Sequence, residues 1–224
     1  MRFLLTILMN VTTIVENFDS LINYKQPIFW AAIIHVIFNP IFWNVTGRLE
    51  NRTQIFSRIC GNSKHRACYI FAFVTFTLGL TRDYLVVSAL AMQPKITDFL
   101  SYYMNINTPT DLFQSIGTIA LIWGSILVLT SMYRLGITGT YLGDYFGIFM
   151  NERVTAFPYN FYDNPMYVGS SFCFFGHALR SLTASGLLIA AIVWLVYKIA
   201  IMFEGPFTAK IFAEKELKES KKVH

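Results

Sequence analysis

From Phe113 to Tyr133 the chain runs 21 residues without a charged side chain, close to the ~20 residues a helix needs to cross a bilayer's hydrocarbon core. In lipid, backbone N–H and C=O groups must find partners inside the segment, so a run of this kind folds as a helix. Ala67–Met92, Met166–Leu179 and Ala184–Phe203 are further apolar runs. Arg180-Ser181-Leu182-Thr183 separates the last two, which predicts a helical hairpin. Pro27–Trp43 is apolar for only 17 residues and contains His35, Asn39 and Pro40. It is either a short, kinked or re-entrant helix or an ordinary short span. Composition agrees, with 54% hydrophobic and 14% charged residues against about a quarter charged in soluble domains. The expected architecture is all-α, a polytopic integral membrane helix bundle with about four to five membrane-embedded helices. Residues 1–224 form one membrane domain: an N-terminal segment over 1–26 that lies on the membrane, a helical core over 27–203, and a basic polar tail over 204–224.

Net charge is +5, and the basic residues cluster at the ends of the apolar runs. Such clusters orient a membrane protein and contact lipid; no basic stripe alternates with stacking aromatics, so nucleic acid is not an expected partner. Lys and Arg number five in 48–66, one in 93–112, two in 134–164 and five in 204–224. The positive-inside rule then puts the first and last of these stretches in the cytosol, with 134–164 on the same side. Asn44 and Asn51, two of the sequons with Asn10, are expected to carry no glycan. Three scattered cysteines and four scattered histidines give neither a disulfide framework nor a metal site. Arg82-Asp83 lies inside the Ala67–Met92 run, either as a functional pair or where the helix leaves the membrane.

Gly136–Tyr167 holds most of the polar residues close to the long runs. Gly139, Gly143 and Gly147 recur four apart and would line one face of a helix, with Asp144 between Tyr141 and Tyr145 inside that stripe. The stretch is either a site or a close helix-packing motif.

The run GITGTYLGDYFGIFMNERVTAFPYN resembles the signature of the phospholipid methyltransferases, the phosphatidylethanolamine N-methyltransferase family, nearest the fungal enzymes of the later methylations. FNPIFWN at Phe38–Asn44, DNPMYVGS at Asp163–Ser170 and EGPFTAKIF at Glu204–Phe212 are similar to further family blocks. The resemblance implies a multi-pass enzyme of the endoplasmic reticulum membrane with a cytosol-facing site. It would move methyl groups from S-adenosylmethionine to the amine of phosphatidylethanolamine or its methylated forms, giving phosphatidylcholine, with membrane phospholipids as partners and no metal. Of the family's two S-adenosylmethionine elements, the Gly-x-Gly aligns with Ile122-Trp123-Gly124 and the Glu-Glu pair with Glu204-Gly205; one glycine and one glutamate are replaced. Asn164, Pro165 and Tyr167 belong to the same cofactor set. The attacking amine must be neutral, so Asp144 and Glu152 are candidate bases, and Tyr141 and Tyr145 are candidate cation–π partners of the methylated ammonium. An isoprenylcysteine carboxylate methyltransferase-like enzyme and a non-catalytic membrane scaffold are the alternatives.

Overall fold

The computed structural model describes residues 18–150, 152 and 154–223. Most of the N-terminal segment expected to lie on the membrane, the sequon at Asn10 and Arg153 of the central motif fall outside the described residues. In chain order the helices are α1 (Phe18–Leu21), α2 (Pro27–Thr53), α3 (Ile55–Ile59), α4 (Lys64–Ala91), α5 (Ile96–Met104), α6 (Thr110–Thr140), α7 (Pro165–Ser181) and α8 (Ala184–Val223), with a 3₁₀ turn at Gly143–Phe146. The described residues contain no strand. Four stretches are long and apolar enough to cross a membrane: Pro27–Thr53, Lys64–Met104, Thr110–Phe146 and Ala184–Lys215. The chain is therefore an all-helical, multi-pass membrane protein, as its apolar runs predict.

Several boundaries differ from the expected ones for a common reason. Hydropathy falls where polar residues begin, but helical hydrogen bonding continues. The run ending at Trp43 is the first part of a continuous 27-residue helix, ~40 Å long and so able to span. Pro40 lies inside this helix, where Asn44 Nδ2 donates to the Pro40 carbonyl at 3.1 Å. The polar stretch 48–66 is the end of α2, the short α3 and the start of α4. Glu50, 1% exposed, accepts from the backbone N–H of Phe56 at 2.8 Å and Ser57 at 3.2 Å, and from the Ser57 hydroxyl. A carboxylate there satisfies the orphan donors at the N-terminus of α3 and favours its dipole. Residues 204–223, read as a tail, continue α8.

α7 and α8 form the expected hairpin, turning through Leu182. α6 and α7 make the most extensive helix pairing in the structure. Two pairs of glycines face each other across this antiparallel crossing. A Cβ on Gly124 would lie 2.5 Å from the Gly169 carbonyl oxygen, and one on Gly117 would lie 2.7 Å from that of Gly176. Small residues let backbones approach this closely, which is how helices gain contact in lipid. By contrast α4 touches α6 only sparsely, and the space between them is the cavity described below.

The glycine stripe does not form. Gly139 ends α6, Gly143 opens the 3₁₀ turn and Gly147 follows it at φ 72°. Leu142 at φ 54° turns the chain between them, so the three do not share a helix face.

Candidate functional site

Along α8 the buried positions Val193, Tyr197, Ala200 and Ile211 fall on one stripe of alternating three- and four-residue steps, to which Glu204 and Phe207 also belong. Glu204 is thereby turned inward, and its carboxylate is held from two other helices. Trp43 Nε1 donates to Oε1 at 2.6 Å and Asn44 Nδ2 donates to the same oxygen at 2.8 Å, both from α2. The Tyr167 hydroxyl, from the first turn of α7, donates to Oε2 at 2.7 Å. Three charge-assisted bonds fix one orientation, with acceptor capacity left on Oε2.

Glu204 borders a cavity of about 410 Å³, within the range of small-molecule sites. Its walls include Phe71, Thr75, Phe76, Gly79 and Leu80 of α4, Val128, Met132 and Leu135 of α6, Asn164 before α7 and Pro165 to Tyr167 within it, and Tyr197 with Glu204 of α8. Phe76 and Leu80 are exposed side chains of this α4 wall. The Tyr167 and Tyr197 rings meet edge to face at 5.0 Å, and Tyr197 accepts from Arg82 Nη1 at 2.7 Å. One line of contacts thus runs from Asp83 through Arg82, Tyr197 and Tyr167 to Glu204. The described residues contain no group of three or more His, Cys, Asp or Glu able to hold a metal ion.

Residues 113–215 match the family model described as phospholipid methyltransferase. The chain is 42% identical over 211 residues to phosphatidylethanolamine N-methyltransferase A of Dictyostelium discoideum, covering 93% of this chain and 94% of the relative. It is 41% identical over 207 residues to phosphatidyl-N-methylethanolamine N-methyltransferase of Saccharomyces cerevisiae, covering 92% and 96%. The chain belongs to the phospholipid methyltransferase family. It is also 42% identical over 194 residues to phosphatidylethanolamine N-methyltransferase of Rattus norvegicus, covering 87% and 92%. No solved structure matches it.

Within this family member the expected site residues divide into three groups. Tyr141, Asn164, Pro165, Tyr167 and Glu204 all line the cavity. Asp144 and Tyr145 lie just behind it. Asp144 is half-buried against Thr208 and feels the charge of Glu204. Tyr145 is 1% exposed, with its ring 4.9 Å from that of Phe207. A ring so enclosed is core, and it presents no face to a cation in the cavity. The third group lies apart. Gly124 is occupied by the α7 backbone, while Ile122 and Trp123 are exposed on the outer surface of α6. Glu152 is exposed in the loop, and Gly205 points into open space.

Trp43 and Asn44 were not singled out as site residues, although both stand in the FNPIFWN block at the end of the first apolar run. α4 continues eight residues beyond Arg82-Asp83, to Ala91, and the pair lines the cavity.

Proposed function

We propose that this chain transfers methyl groups from S-adenosylmethionine to the headgroup amine of phosphatidylethanolamine or its mono- and dimethyl forms, making phosphatidylcholine. The observation that carries this reading is the cavity beside Glu204, walled by α4 and α6, in a chain matching enzymes so named along almost its whole length. The step is an in-line displacement in which the amine nitrogen bonds the methyl carbon, the carbon–sulfur bond breaks, and the sulfur leaves as a neutral thioether. No redox partner is required. The protein's tasks are to align donor and acceptor and to exclude water.

Glu204, already oriented by Trp43, Asn44 and Tyr167, accepts from a donor hydroxyl or ammonium through Oε2. Tyr141 and Tyr167 line the cavity and offer ring faces to the methylated ammonium, worth roughly 0.5–2 kcal/mol. Asp144 does not line the cavity, so a proton from the amine reaches it only through water. The lipid enters sideways between α4 and α6, and the water-soluble donor arrives from the end at which Glu204 and the 3₁₀ turn meet.

Protein reconstituted with labelled S-adenosylmethionine and, separately, phosphatidylethanolamine and its mono- and dimethyl forms tests the reading. Label appearing in the next methylated lipid is the expected result, and no transfer to any of them overturns it.

The proposed orientation puts Glu204 toward the cytosol in the endoplasmic reticulum. Asn44 is engaged by both Pro40 and Glu204, so a glycan there is incompatible with the folded site. Asn107→Ser creates a sequon at exposed Asn105 on the opposite end of the bundle. A glycosidase-sensitive mass increase over the parent is expected for this variant in microsomes.

A further inference from the structure

Arg82 is charged, and at 12% side-chain exposure it is largely withdrawn from the surface of an apolar helix. A guanidinium placed there is costly unless it is paired and serves a purpose. Its Nε and Nη2 donate to Asp83 Oδ1 at 2.9 and 2.8 Å, and Nη1 donates to the Tyr197 hydroxyl at 2.7 Å. The guanidinium carbon lies 4.9 Å over the Phe174 ring. A guanidinium has five N–H donors, so two remain after these bonds. Asp83 receives both of its bonds on Oδ1, its side chain is 52% exposed, and among the described residues Oδ2 accepts none. Both residues line the cavity. An unused pair of donors and an unused acceptor therefore stand side by side at its wall, as a cation and an anion.

Tyr197 and Glu204 are two helical turns apart on α8, about 10 Å, with Tyr167 bridging them. The cavity thus has a fixed carboxylate at one end and an Arg–Asp couple at the other. A methyl donor of the S-adenosylmethionine type has an adenine nucleoside with its ribose hydroxyls on one side of the sulfonium and, at the end of the other arm, a carboxylate and an ammonium on a single carbon. A phospholipid carries its two charges on groups separated by a two-carbon bridge, with the phosphate tied to the acyl-bearing backbone. The adjacent charges of Arg82 and Asp83 suit the first ligand better. Resting on the methyl-donor reading above, we propose that Arg82 and Asp83 clamp the donor's amino-acid end. Arg82 takes the carboxylate and Asp83 the ammonium, which assigns Glu204 to the ribose hydroxyls.

The test compares two nucleosides on purified protein in detergent by calorimetry. S-adenosylhomocysteine carries the amino-acid end, whereas 5′-methylthioadenosine shares the nucleoside and thioether but lacks it. For Arg82→Gln and Asp83→Asn, the Kd for S-adenosylhomocysteine is expected to rise about tenfold or more, as for loss of a charge-assisted bond. The Kd for 5′-methylthioadenosine is expected to stay within about twofold of the parent. Equal weakening of both nucleosides, or of neither, overturns the clamp and makes the couple an α4–α8 fastening. A raised KM for lipid with unchanged nucleoside binding also overturns it, assigning Arg82 to the lipid phosphate. If Arg82→Gln does not fold, Arg82→Lys, which keeps the charge but loses the fork, and Asp83→Asn carry the measurement. A parent protein that binds neither nucleoside defeats the methyl-donor reading itself, before any variant is compared.

Discussion

Helix α6 meets its two neighbours in opposite ways. Toward α7 it presents Gly117 and Gly124, and the backbones approach until a single added Cβ would collide with a carbonyl oxygen. Toward α4 it presents Val128, Met132 and Leu135 across an open cavity. The same apolar helix therefore has a dry, closed flank and a hollow one. In lipid there is little hydrophobic gain in bringing two helices together, so close approach has to be built from small residues, and a gap persists where they are missing. The closed flank holds α6 and α7 as one unit, against which the hollow flank keeps its shape.

Closing and opening these flanks by substitution gives effects of decreasing size. Gly124→Val places methyls against the Gly169 carbonyl, 2.5 Å from the position of the first added carbon. It is expected to destabilise the bundle by on the order of 3 kcal/mol, seen as a fall in detergent melting temperature and in the yield of assembled protein. If the variant melts like the parent, the crossing is not what rigidifies α6. On the hollow flank, Glu204→Gln keeps the shape but removes the charge to which Trp43, Asn44 and Tyr167 donate. Methyl transfer should fall by about a hundredfold, with the melting temperature little changed. Retention of more than a tenth of the parent rate would remove Glu204 from the chemistry.

Gly79 lines the cavity and has no heavy atom within 4 Å of where a Cβ would stand. Gly79→Leu therefore fits without strain and narrows the passage between α4 and α6. Turnover of lipid is expected to drop several-fold, about 1 kcal/mol in transition-state terms. Unchanged lipid kinetics would mean that the acceptor enters elsewhere. The smallest effect is expected at Gly205, which stands in open space. Gly205→Glu, which recreates the paired glutamates of the family element, should alter the rate by less than about twofold. A large gain would show that the second carboxylate acts on the donor and that its absence limits this chain.

Much of the bundle was legible because apolar runs of membrane length leave the backbone little choice but helix. The hairpin of α7 and α8 follows directly from Arg180–Thr183. What could not be read were the ends. α2 runs to Thr53 and α8 to Val223 because hydrogen bonding propagates through polar residues that hydropathy treats as loop. The Gly139–Gly143–Gly147 stripe misled because even spacing has meaning only on an unbroken helix, and the positive φ of Leu142 and Gly147 breaks this one.

The site shows the same division. Glu204 and Tyr167 were reached through family blocks, and both line the cavity. Their partners Trp43 and Asn44 lie 161 and 160 residues from Glu204, and no local pattern joins positions that far apart. Gly124 aligned with a cofactor element, yet its environment is a helix crossing. A glycine that lets a ligand approach and one that lets a helix approach are identical in sequence.

The donors to Glu204 come from both sides of a boundary. Tyr167 lies within the matched block 113–215, whereas Trp43 and Asn44 lie outside it on α2. The first long helix is thus more than a tether, because it supplies two of the three hands that steady the Glu204 carboxylate. A fragment starting at the family block would keep that acid and lose most of what aims it.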